Sequence, residues 1–216
     1  MISGSVTPFY TFDPLQGEGT SELVDILEKA RTEGVDNFAS LSTKYPEMAS
    51  KLEAEGIDVS AGRNDITWDD ATILFIAIRA TESDGGPAEP FDRGVSTERL
   101  GRFPTEDGNS ITYLREFLIP ESPNDSGYQL LTQLDCGLRK EKRGHEHLSL
   151  GFGGLKLHGW LSKDDVTALR NYLQKSIWKV ANDEIFDGGV RDVVRHLLII
   201  LKTAEKRNLG ILMRAH

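Results

Sequence analysis

The stretch RGHEHLSLGFGGLKLHGWLS, residues 143–162, decides how the rest of the chain is divided into elements. It holds three of the chain's five histidines and five of its 21 glycines. If it forms two strands joined at GFGG, its leucines share one face and its histidines the other, because side chains alternate along a strand. The glycines suit the positive φ angles of a tight turn. The stretch therefore predicts a β-hairpin over residues 145–158.

Helical patterns flank this hairpin on both sides. Upstream, residues 125–143 carry an apolar stripe and end in basic residues, which the helix dipole favours, before Gly144 supplies a stop. Downstream, Ser162 with Asp165 three residues later is a helix-start pattern that opens a strongly amphipathic segment. A further helix then leads to a short strand at residues 209–215.

The N-terminal part of the chain also favours helices. Residues 20–33 keep apolar side chains on one face, and Gly34 ends that pattern. Residues 66–80 contain a nearly apolar run whose periodicity allows either a buried strand or a buried helix. Thr67, with Asp70 three residues later, resembles a capping box and favours the helix.

Together these patterns predict an α+β fold. We expect about six helices packed with a small, antiparallel sheet. The sheet would take the hairpin 145–158 and strands near residues 111–119 and 209–215.

Residues 82–110 interrupt the regular patterns. They have no amphipathic period and are rich in proline, glycine and charge, so they predict an irregular loop or linker. They separate a helical half, 1–81, from a mixed α/β half, 111–216, which could also form one compact domain, 1–216. Arginines on such a loop often hold carboxylates or phosphates. The candidate ligand- or partner-binding residues of this segment are Arg93, Arg99 and Arg102.

The histidine face of the predicted hairpin is a candidate metal site. Same-face neighbours on paired strands lie about 5 Å apart, so His145, His147 and His158 could converge on one ion. Three imidazoles can bind zinc and leave a fourth position for water, from which zinc generates hydroxide near neutral pH. Lys156 shares that face and would repel a cation. A zinc-dependent hydrolase is therefore one functional hypothesis, set against a solvated or partner-facing surface.

No residue of the chain is assigned a catalytic role. The pairs Asp69–Asp70 and Asp164–Asp165 both fall at predicted helix starts, where the helix dipole favours carboxylates. Cys136 has no base placed beside it by the sequence, and a cysteine nucleophile needs a base or a lowered pKa. These residues are interpreted as structural.

Composition limits the classes of partner. The chain has 216 residues and a formal net charge of −9 at pH 7, which argues against nucleic acid and would attract a basic protein. The longest apolar run is too short to span a membrane. The N-terminus lacks a signal-peptide pattern, and the single cysteine, Cys136, excludes an intramolecular disulfide, so we expect a cytoplasmic protein.

The sequence thus favours a non-catalytic, acidic, cytoplasmic binding protein. An inhibitor of a basic protein, in the manner of an immunity or antitoxin protein, fits this description. The alternative is the metal-dependent hydrolase with its site on the histidine-rich hairpin.

Overall fold

A computed structural model of the chain describes residues 10–91, 109–122, 124–175 and 178–215. These residues form an α+β fold, as the sequence predicts, in which helices cover a small antiparallel sheet. The strands are β1 (Tyr10–Leu15), β2 (Leu118–Ile119), β3 (Lys156–Leu161), β4 (Lys179–Val180) and β5 (Gly210–Ala215). The helices are α1 (Thr20–Thr32), α2 (Leu41–Lys44), α3 (Pro46–Ala54), α4 (Asp70–Ile78), α5 (Ser110–Phe117), α6 (Ser126–Cys136), α7 (Lys140–Arg143), α8 (Lys163–Lys175) and α9 (Gly189–Lys206).

The main sheet has three antiparallel strands in the order β1-β5-β3. The predicted strand at 209–215 is confirmed as β5, and it occupies the centre of this sheet. Arg214 of β5 forms an ion pair with Asp13 of β1 across a separation of 201 residues. The short strands β2 and β4 pair separately.

Each face of the main sheet is covered by its own group of helices. Side chains alternate along β5, so Leu212 points to one face while Ile211 and Met213 point to the other. Leu212 joins an apolar cluster with α1, α3 and α4, whereas Ile211 and Met213 join a cluster with α5, α6, α8 and α9. The sheet therefore lies between an N-terminal and a C-terminal helical layer.

The strand predicted near residues 111–119 is wrong over most of its length. Residues 110–117 form helix α5, and only Leu118 and Ile119 are extended. The Asn109 side chain accepts hydrogen bonds from the backbone N–H groups of Ile111 and Thr112 at 3.0 and 3.1 Å, which caps the helix. Burial at residues 111, 114 and 117 follows the helical period rather than an alternation.

The first arm of the predicted hairpin 145–158 is not a strand. The backbone N–H groups of Ser149 and Leu150 both donate to the carbonyl oxygen of Glu146, so this segment folds into turns. Its contact with the second arm is reduced to an isolated bridge between Leu150 and Lys156. The second arm is confirmed as β3, but it forms its ladder with β5.

The described residues contain nine α-helices, more than the sequence suggested. One of them, α5, replaces a predicted strand, and α2 and α7 are single turns. The start of α8 is as predicted, because Ser162 and Asp165 cap each other reciprocally at 2.7–3.2 Å. The cap of α4 is Asp69 rather than Thr67, since the backbone N–H of Thr72 donates to the Asp69 carboxylate.

Candidate functional site

The histidines of residues 143–162 divide between two places. His145 and His147 stack on each other with ring centroids 3.9 Å apart. His145 Nε2 lies 3.3 Å from a carboxylate oxygen of Glu28, and His147 Nε2 lies 3.8 Å from Asp70 Oδ2. Burial, followed by the neighbouring His145, lowers the pKa of His147. This pair belongs to the N-terminal layer.

His158 does not join the other two histidines. It is buried on β3, where its Nδ1 donates a hydrogen bond of 3.1 Å to the backbone carbonyl oxygen of Asp135 and its ring meets Tyr10 edge-on. Among the described residues, no three His, Cys, Asp or Glu side chains gather in an arrangement that could hold a metal ion. The three histidines proposed as zinc ligands are therefore not brought together.

The arginines proposed from the irregular loop cannot be placed. Arg93, Arg99 and Arg102 lie outside the described residues. What the structure does provide is two buried carboxylates, Asp70 and Asp135, each with an arginine partner and a nearby histidine. The first lies under the N-terminal layer and the second between α6 and β3.

The first carboxylate is separated from its neighbour in the sequence by the start of α4. Asp69 caps the helix, whereas Asp70 turns inward and is 1% exposed. Asp70 forms an ion pair with Arg63, which is itself buried, and Arg31 approaches it from the surface at 3.4 Å. Asp70 is thus paired inside the protein.

Each nitrogen of the Arg63 guanidinium in this first cluster has a hydrogen-bond partner. Besides Asp70, it donates to the backbone carbonyl oxygens of Ile66 and Trp68 at 3.0 and 2.6 Å. These bonds hold the 3-10 turn Arg63–Asp65 and the segment after it against the start of α4. A buried arginine whose donors meet a carboxylate and two carbonyls is satisfied without any ligand.

Two exposed aromatic side chains lie over this ion pair, and we call them the aromatic rim. Trp68 is 37% exposed and Phe152 is 68% exposed, and both line a pocket of about 230 Å³ that has Arg63 and Asp70 at its base. The Phe152 backbone N–H donates to Asp69 Oδ2 at 3.1 Å, so the cap of α4 also anchors the turn that carries Phe152. Gly153, with φ 66°, completes that turn.

The second carboxylate, Asp135, lies in the last turn of α6 and is 1% exposed. It forms an ion pair with Arg115 of α5. It also accepts hydrogen bonds from Asn109 Nδ2 at 2.7 Å and Thr112 Oγ1 at 3.1 Å. The residue that caps α5 therefore also fixes the carboxylate on α6.

Opposing effects set the charge state of Asp135. Burial raises its pKa, but the neighbouring His158, Arg115 and Asn109 outweigh burial and lower the pKa to about 2. Asp135 is therefore ionised at neutral pH. Burial raises the pKa of the adjacent Cys136, whose Sγ lies 3.2 Å from the Thr132 carbonyl oxygen, so this cysteine is a thiol and not an activated nucleophile.

A glycine brings His158 to this carboxylate. A Cβ atom at Gly159 would lie 1.9 Å from the carbonyl oxygen of Gln133, so only glycine lets β3 approach α6 this closely. The Leu138 backbone N–H donates to the His158 carbonyl oxygen at 2.8 Å and fixes the same contact. Gly159 was counted with the turn glycines in the sequence, but its role is this close approach.

A cleft of about 680 Å³ opens beside Asp135, and we call it the α6–β3 cleft. Its floor includes Arg115, Asp135 and His158, and its basic lining residues toward the surface are Arg139, Lys140 and Lys156. Neither this cleft nor the aromatic rim was identified from the sequence. The Asn109 cap and the four-residue spacing of Asp135 and Arg139 were local signals, but the contacts that build the cleft are long-range.

Comparisons with protein-family models, with curated protein sequences and with solved structures found no match to this chain. Within the described ranges, the helices are all too short or too polar to cross a membrane.

Proposed function

We propose that this protein is a non-catalytic binding protein that captures a basic protein partner at the aromatic rim, as an immunity or antitoxin protein captures its target. The observation that carries the proposal is Phe152, a large aromatic side chain that is 68% exposed on a turn tied to the cap of α4. Aromatic anchors dominate the energy of protein interfaces, and an anchor held in place loses little entropy on binding.

Charge supports a basic partner. The chain carries 34 acidic and 25 basic residues, so its overall field attracts a positively charged protein and repels nucleic acid. Two exposed acidic side chains, Asp36 and Asp65, lie close together, and Asp65 directly follows Asn64 of the rim pocket in the chain. A Cβ atom at Gly62 would lie 2.9 Å from Asp36 Oδ2 and 3.3 Å from Asp65 Oδ2, so these carboxylates lie beside each other.

The state of the cysteine supports a reducing compartment. Cys136, the one cysteine of the chain, is a buried thiol. A cytoplasmic protein is expected to keep its thiols reduced, so we propose the cytoplasm as the location of this protein.

The proposal is tested by affinity capture with matched variants. Wild-type protein, Phe152→Ala and Ile185→Ala are immobilised and exposed at low salt to a lysate of the source organism. Ile185 is the matched control because it is also 68% exposed but lines neither the rim pocket nor the α6–β3 cleft. We expect wild type and Ile185→Ala to retain the same basic protein, identified by mass spectrometry, and Phe152→Ala to lose it.

The captured protein is then produced separately and titrated. A hot-spot aromatic contributes about 2 kcal/mol or more, so Phe152→Ala should weaken the affinity by about 30-fold or more. Asp36→Asn with Asp65→Asn should weaken it mainly at low salt. Equal affinity for wild type and Phe152→Ala, or a captured protein that is acidic, would overturn the proposal.

A further inference from the structure

The α6–β3 cleft contains a buried polar atom that has no partner among the described residues. Arg115 Nε is buried and has no hydrogen-bond acceptor among the described residues. The His158 side chain is only 9% exposed, and its Nδ1 is used by the Asp135 carbonyl oxygen. Because that bond requires the hydrogen on Nδ1, Nε2 of the neutral ring is the acceptor nitrogen. A buried polar atom without a partner is costly, so the cleft floor has unused capacity for hydrogen bonding.

The lining of the same cleft carries two lysines that form no ion pair with the described residues. Arg139 has Glu141 at 3.2 Å, but no carboxylate of the described residues lies within ion-pair distance of Lys140 or Lys156. Four basic side chains line the cleft against three carboxylates: Arg115, Arg139, Lys140 and Lys156 against Asp135, Glu141 and Glu146. The cleft is therefore locally basic in a chain whose net charge is −9.

We propose that the α6–β3 cleft binds a small molecule that carries a phosphate group. A phosphate offers three acceptor oxygens and up to two negative charges. It suits the Arg115 donor, together with two lysines that pair with no described carboxylate, better than a single carboxylate does. The volume of about 680 Å³ lies in the range of small-molecule sites. The phosphate group could belong to free phosphate or to a phosphorylated metabolite.

This site is independent of partner capture. It uses no residue of the aromatic rim, and its floor lies between α6 and β3 rather than at the start of α4. Loss of either activity by mutation should leave the other in place.

Calorimetric titration of the full chain tests the proposal with three probes: inorganic phosphate, AMP and citrate. The variant Lys140→Gln with Lys156→Gln changes two exposed side chains of the cleft, whereas Lys163→Gln with Lys175→Gln removes the same charge from exposed positions on α8. Because charge-assisted hydrogen bonds contribute about 1.5–3 kcal/mol, we expect the cleft variant to bind the phosphate-bearing probes at least about tenfold more weakly than wild type and the α8 variant.

The probes separate the sources of the phosphate. Saturable binding of inorganic phosphate as tight as that of AMP assigns the cleft to the free anion, and tighter binding of AMP assigns it to a phosphorylated metabolite. No saturable binding of either probe, equal binding of citrate, or equal affinity in the two lysine variants would each overturn the proposal.

A spectroscopic readout at His158 complements the titration. The imidazole ¹⁵N signal of His158 Nε2 should shift on addition of the bound probe, while the signals of the buried His196 on α9 stay in place. A saturating probe that leaves the His158 signal unchanged would place the bound phosphate elsewhere and contradict the proposed site.

Discussion

Asp70 and Asp135, two of the buried carboxylates among the described residues, have similar neighbours but differ in how their arginine partners are bonded. Asp70 and Asp135 are each 1% exposed, each forms an ion pair with an arginine, and each has a histidine of residues 143–162 within 4 Å. One short stretch therefore supplies a histidine to both helical layers.

The arginines make the difference between the two clusters. Arg63 has a 6% exposed side chain and donates to a carboxylate and two backbone carbonyls. The Arg115 side chain is 30% exposed, and no residue in the described part of the chain accepts a hydrogen bond from its Nε. A buried ion pair is thus not by itself a sign of function. The two ion pairs differ at the arginine nitrogens, because each guanidinium nitrogen of Arg63 has a partner, whereas Arg115 Nε has none among the described residues.

The largest expected effect on stability comes from breaking the Asp70–Arg63 ion pair, whose two side chains are both buried. Asp70→Asn leaves the buried Arg63 charge without its counterion, so we expect a loss of about 3–5 kcal/mol in the free energy of unfolding. Urea denaturation followed by circular dichroism measures it. The replacement Asp69→Ala, which removes the α4 cap and the hydrogen bond to the Phe152 backbone but leaves the ion pair, serves as control and should cost about 1–2 kcal/mol. Equal losses in the two variants would contradict a special role for the ion pair.

The Asp135–Arg115 ion pair, which borders the α6–β3 cleft, should tolerate the same change better. In Asp135→Asn, water can reach Arg115 through the cleft, so we expect a loss of about 2–3 kcal/mol, less than for Asp70→Asn. The same denaturation series measures both variants. If Asp135→Asn lowers the free energy of unfolding more than Asp70→Asn does, the distinction between the more deeply buried Asp70 pair and the Asp135 pair beside the cleft fails.

Acid should remove the stabilisation from Asp135 in a defined range of pH. Its pKa falls from 3.8 in the unfolded chain to about 2 in the folded protein, so its contribution is complete above about pH 4 and is lost as pH falls toward 2. The shift corresponds to about 2 kcal/mol. Plotted against pH, the free energies of unfolding of wild type and Asp135→Asn should converge by that amount across this range. Parallel curves would show that the pKa of Asp135 is not lowered.

Local sequence signals predicted two elements of the fold correctly. The Ser162–Asp165 box predicted the start of α8, and the short apolar strand at 209–215 is present as β5. The prediction at residues 111–119 was wrong because it rested on a weak alternation and did not recognise Asn109 as a helix cap. Residues 145–150 were assigned to a strand on alternation alone, but the backbone N–H groups of Ser149 and Leu150 donate to the carbonyl oxygen of Glu146 and form a turn.

The residues of the candidate sites were harder to predict from the sequence because their partners are distant in the chain. Asp69 and Asp70 were both expected to serve the helix start, and only the folded structure separates the cap from the buried ion pair. Asp135 meets Asn109 across 26 residues and His158 across 23, and no periodicity encodes such contacts. Gly159 and the turn glycines look alike in the sequence, although Gly159 permits a close approach of backbones.

The central position of β5 constrains how the protein is made. Asp13 of β1 emerges from the ribosome 201 residues before its partner Arg214, a delay of roughly 10–40 s at ordinary rates of translation. During that time, the edge of β1 that will face β5 remains unpaired, and β3, once it has been made, also waits for β5. Leu212 is missing from the N-terminal cluster until then. An unpaired strand edge is prone to aggregation. The main sheet can therefore close only after β5 has been made.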